Sequence, residues 1–80
     1  MSPAQKRTFA VDIAKVHKRV RTGEARDIRV SCALSLQNIA SVVGVTPAAV
    51  HSWENGKYLP RGENAVRYER LLSDLEKERS

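Results

Sequence analysis

An all-α fold of about five helices is predicted by three observations in this 80-residue chain. Apolar residues recur three and four positions apart near both ends. In the middle, Ser35, Gly44, Thr46-Pro47 and Gly56 stand where short helices start and stop. No strand pattern competes: Val42, Val43 and Val45 favour extended backbone, but Gly44 interrupts them.

The first helix is expected over residues 4–21, with Pro3 near its first turn, where a missing N–H costs little. Phe9, Ile13, Val16 and Val20 form its apolar stripe, and Lys15, Lys18, Arg19 and Arg21 lie largely off it. Thr22-Gly23 breaks or weakens this helix. A second is expected over residues 24–33, with Ala25, Ile28 and Cys32 inward and Val30 flanking. Ser35 can cap a third over residues 36–43, with Ile39, Ala40 and Val43 inward. Gly44 stands where the chain leaves that helix with positive φ. Thr46 is a good N-cap and Pro47 is pre-set for a first helical position, so a fourth helix should run from Pro47 to Asn55 and stop at Gly56. Pro60 and Gly62 keep the next loop irregular. A fifth helix is expected over residues 63–78, with Ala65, Tyr68, Leu72 and Leu75 on one face and Leu71 beside them.

Length and charge narrow the class. The chain is read as one domain, residues 1–80, with a modest core. Its net charge of +5 is concentrated in residues 1–31, which hold eight basic and three acidic side chains. Residues 63–80 are slightly acidic, so a polyanion should meet the front of the chain rather than its tail. A single cysteine, Cys32, allows no internal disulfide. Lys6 and Arg7 precede no apolar run, and no stretch is long enough to span a membrane. A cytoplasmic location, in a bacterial or phage-infected cell, is therefore expected, with no membrane partner.

Residues 34–60, LSLQNIASVVGVTPAAVHSWENGKYLP, carry a resemblance. Ala40 in a first short helix, Gly44-Val45 at the turn, Thr46 as cap and inward Val50 are followed by Trp53-Glu54-Asn55-Gly56-Lys57. This order resembles the Cro/repressor-type helix-turn-helix family, across about residues 24–76. The resemblance implies a lambda-repressor-like DNA-binding domain with its helix-turn-helix at residues 35–56, a C-terminal helix at 63–78, and residues 4–21 as an additional basic amphipathic helix. It implies double-stranded DNA as partner and transcriptional regulation as function. It also implies a pair between Arg29 and Glu54, the plain alternative being a solvated Arg29 in a surface pair.

In the family resembled, the fourth helix enters the major groove by its N-terminal end. Pro47, Ala48, His51 and Ser52 are then the expected base contacts, with His51 able to reach a base or a phosphate. Pro47 and Ala48 cannot make bidentate bonds to bases but can pack on thymine methyl groups. Ser35, Gln37, Asn55, Lys57 and Arg61 are the expected phosphate contacts. Leu36 occupies the family's phosphate-touching glutamine position, so Gln37 would have to substitute. Tyr58 is assigned to the DNA backbone or to the core, without preference. Lys6, Arg7, Lys18 and Arg19 are candidates for flanking phosphates, while the simpler role of their helix is to extend the core.

No catalytic set, metal spacing or phosphate loop is visible, so no enzyme, cofactor or small-molecule ligand is expected. His17 is expected in solvent, Cys32 in the core, and the charges from Glu69 to Arg79 on a solvated face. The resulting expectation is a small phage Cro-like repressor, able to form a homodimer on a two-fold operator through Leu71 and Leu75. Its rivals are an antitoxin-type interaction module that also binds its own operator, and a DNA-bending recombination factor.

Overall fold

Local caps set the element boundaries of the computed structural model, which describes residues 3–79. Five helices follow one another: α1 (Pro3–Thr22), α2 (Glu24–Ser31), α3 (Leu36–Val43), α4 (Pro47–Glu54) and α5 (Gly62–Arg79). The described residues contain no strand. At the start of α3, Ser35 Oγ accepts from the Asn38 N–H and Asn38 Oδ1 accepts from the Ser35 N–H, a reciprocal box. α4 starts where Thr46 Oγ1 accepts from the Ala49 N–H at 3.1 Å, with Pro47 in its first turn.

α5 is the element against which the others assemble. It lies against α1, α2 and α3, while α3 packs on α4. The core takes Val16 and Val20 from α1, Ala25 and Ile28 from α2, and Ile39, Ala40 and Val43 from α3. Val50 and Trp53 come from α4, and Ala65, Tyr68 and Leu72 from α5. Trp53 and Tyr68 lie with ring centroids 5.0 Å apart, so the largest apolar surfaces of α4 and α5 meet at the centre. Phe9 is only half-buried and has Arg70 over its ring at 5.6 Å.

Three expectations are corrected. α2 ends at Ser31, two residues early, because Ala33 adopts φ 56 and closes the helix. The Ala33 N–H donates to Val30 O and the Leu34 N–H to Arg29 O, which satisfies the carbonyls that a longer helix would have used. Cys32 therefore sits in the turn, half-buried, with its Sγ 3.6 Å from Leu75 O.

The charges of α5 are not all solvated either. Glu69 is buried and accepts from Arg19 Nε at 2.9 Å and Arg19 Nη2 at 3.1 Å. Arg19 also reaches Glu24 at 2.8 Å and Glu76 at 3.2 Å, tying α1 to α2 and α5. Burial works against the Arg19 charge, but its hydrogen bonds to Glu69 and Glu76 outweigh that and hold its pKa above the ordinary value. Finally, Leu71 and Leu75 are half-buried against the core cluster, which leaves only part of each side chain to the apolar edge expected to pair two chains.

Ala33 occupies a left-handed position that an L side chain resists and glycine does not. Ala33→Gly is expected to stabilise the fold by about 0.5–1 kcal/mol, read as an increased urea midpoint at unchanged slope. A lowered midpoint would mean that the turn is not strained.

Candidate nucleic-acid interface

The candidate interface is built around the exposed side of α4. Helical spacing sends Val50 and Trp53 into the core and leaves Ala48 and His51 exposed, with Pro47 and Ser52 half-buried beside them. Two glycines make this placement possible. Gly44, at φ 88, ends α3 as the Val45 N–H returns to Ala40 O at 3.0 Å. Gly56, at φ 71, ends α4: its N–H donates to Trp53 O and the Lys57 N–H to Ser52 O, which fixes where Lys57 leaves the helix.

A buried ion pair orients α4 from behind. Arg29 Nε donates to Glu54 Oε2 at 2.6 Å and Nη2 to Oε1 at 2.9 Å. Arg29 Nη1 donates to Leu34 O at 2.9 Å, so the same guanidinium also holds the turn between α2 and α3. The Glu54 side chain is 3% exposed and that of Arg29 14%. The hydrogen bonds from Arg29 to Glu54 hold the guanidinium pKa above its ordinary value despite burial. Beside the pair, Tyr68 has a buried hydroxyl with no hydrogen-bond partner among the described residues, and burial pushes its pKa up.

The other expected contact residues lie where solvent reaches them, with individual constraints. Ser35 is exposed, but the capping box uses its backbone N–H, leaving the hydroxyl proton free to donate. Gln37 is exposed and donates to Ser41 Oγ at 3.0 Å, along its own helix. Leu36 packs against the core, consistent with an apolar residue at that position. Asn55 Nδ2 lies 3.1 Å from His51 Nε2, so these two groups would have to part for both to meet a ligand. Lys57 and Arg61 are exposed and enter no ion pair among the described residues. Tyr58 is 63% exposed and does not close the core.

Two placements differ from expectation. Arg19 is withdrawn from the flanking set, because its side chain is 11% exposed and its donors are spent on glutamates; Lys6, Arg7 and Lys18 remain exposed. His17 is not simply solvated: its Nε2 donates to Pro60 O at 2.8 Å, joining α1 to the loop after α4. His17, Lys57, Tyr58, Leu59 and Arg61 line one recess there. The only sequence signal for His17 was its place at the margin of the stripe between Ile13 and Val20.

Residues 26–76 match the helix-turn-helix family model HTH_3, a span from within α2 to near the end of α5. The chain therefore belongs to that helix-turn-helix family, a class that binds DNA and regulates transcription. Neither the curated proteins nor the solved structures gave a match. No helix among the described residues is long and apolar enough to cross a membrane.

Arg29→Ala would strand Glu54 in the core, and a loss of about 3–5 kcal/mol is expected by chemical denaturation. Arg29→Met with Glu54→Leu should recover most of it, because no lone charge remains. A loss below about 1 kcal/mol for the single variant would place the pair in effective contact with water.

Proposed function

We propose that the chain binds duplex DNA sequence-specifically through the N-terminal half of α4 and acts as a small Cro-like repressor, of the kind phages use. The observation that carries this reading is electrostatic. Glu54 is the only acidic residue between positions 32 and 62, and it is buried against Arg29. The outward face of α4 and the following loop therefore offer neutral side chains, Lys57 and Arg61, and no exposed carboxylate. A phosphate backbone can approach without repulsion.

On this reading Ala48 and Pro47 pack against thymine methyls, Ser52 donates or accepts at a base edge, and His51 reaches a base or phosphate. Ser35, Gln37, Asn55, Lys57 and Arg61 hold the backbone on either side and set register. With few polar base readers, part of the selectivity comes from sequence-dependent shape. A homodimer on a two-fold operator would double the modest selectivity of one α4.

Selection of bound duplexes from a random pool at two salt concentrations tests the proposal. Recovery of a short motif, with half-sites about one helical turn apart if two chains bind, is the expected result. Lys57→Ala should weaken binding to all sequences and lower the salt slope by about 1. Ala48→Gly should relax preference at one or two thymine positions while leaving non-specific binding nearly intact. An unchanged preference profile in that variant would exclude the proposed docking of α4.

A further inference from the structure

α1 lies outside residues 26–76, so the family match does not account for it. Its two margins differ in charge. On one margin, Asp12 faces Arg70 at 3.4 Å and Arg19 faces Glu69, so the charges are matched by α5. The other margin contains His17 and meets Pro60. On the His17 stripe, spacings of three and four bring Lys6, Ala10, Ala14 and Arg21 into line, with Arg7 and Lys18 alongside. All six are exposed, and the four cations among them enter no ion pair among the described residues. Asp12, the one acidic residue of α1, is on the opposite margin.

We infer that this margin of α1 is a second DNA-backbone surface, which takes phosphates outside the segment read by α4 through Lys6, Arg7, Lys18 and Arg21. The inference rests on the DNA-binding reading of α4 and extends its footprint. Three features favour it. The bond from His17 to Pro60 makes the basic margin continuous with the recess shared by Lys57 and Arg61. Ala10 and Ala14 keep the stripe low between its cations, so a backbone can lie close along it. From Lys6 to Arg21 the stripe runs about 22 Å, roughly six base-pair rises measured along the duplex axis. An anionic membrane is the poorer partner, because the apolar face such a helix would insert, Val16 and Val20 with Ile13, is packed against the core.

The test compares the full-length protein with Lys6→Gln/Arg7→Gln/Lys18→Gln/Arg21→Gln, using mixed-sequence duplexes of about 12 and about 30 base pairs, the shorter little more than one helical turn. Affinity is measured across a salt series, with circular dichroism as a control for folding; glutamine is a good helix former. On the longer duplex the salt slope should fall by about 0.9 for each phosphate no longer neutralised, a total near 2–4. On the shorter duplex the change should be smaller by at least half. Lys18→Gln/Arg21→Gln alone should give about half the effect and guards against a folding defect in the larger variant. Equal slopes for parent and variants on the longer duplex would overturn the inference, and so would an equal loss on both duplexes, which would mark general charge rather than a placed surface. If Lys57→Ala still lowers the slope in those cases, the α4 reading stands and only the α1 surface falls. Failure of the parent to bind either duplex would remove both.

Discussion

The position of α4 depends on one guanidinium. Arg29 makes two bonds to Glu54 and one to Leu34 O, so the end of α2, the turn before α3 and the last residue of α4 are fixed together. The planar fork of arginine suits this work, since a lysine in its place would hold one partner at a time. Burying the charges is costly, and well-packed apolar residues could replace them with little loss of stability. What they would not supply is direction. The pair defines the rotation of α4 about its axis, with Trp53 placed against Tyr68 and Ala48 and His51 turned outward.

A second network uses the same chemistry elsewhere. Arg19 gathers Glu24, Glu69 and Glu76 from two other helices and thereby fastens α1 to the family's domain. Together with His17 on Pro60, it fixes both the placement and the rotation of α1. Asp12, Glu24, Glu54, Glu69 and Glu76 are thus drawn into ion pairs. The other basic residues of α1 (Lys6, Arg7, Lys15, Lys18 and Arg21) and Lys57 and Arg61 after α4 keep the outer surface, which gives a protein of modest net charge a sharply uneven one.

The boundaries of α3, and of α4 to within the one residue by which it ends early, at Glu54 rather than Asn55, were legible in the sequence because they are decided within a few residues. Ser35, Gly44, Thr46-Pro47 and Gly56 each act through a bond spanning three to five positions. The end of α2 was not legible, since alanine normally extends a helix. Here Ala33 turns left-handed while Leu34 bonds Arg29 through both backbone groups, a constraint set by the tertiary position of the arginine. The fate of Arg19 was hidden for a similar reason. It and Lys18 are neighbours off the same stripe, and what distinguishes them is Glu69, fifty positions away. Glu69 itself did carry a signal: it falls four after Ala65 and three before Leu72, on the inward face of α5, yet its charge suggested solvent. Residues expected to touch DNA were read from the family pattern, and their exposure follows from helical spacing. Constraints on them, such as the contact between Asn55 and His51, depend on side-chain conformations that no pattern specifies.

In the proposed function, the outer face of α4 is the surface that meets DNA. Amide NMR of the full chain during titration with a duplex obtained by selection tests it most directly. The largest shifts are expected at Ala48, His51, Ser52 and Lys57, with the amides of Asp74 to Lys77 near the end of α5 little changed. Shifts concentrated on α2 or the end of α5, with α4 unmoved, would contradict it.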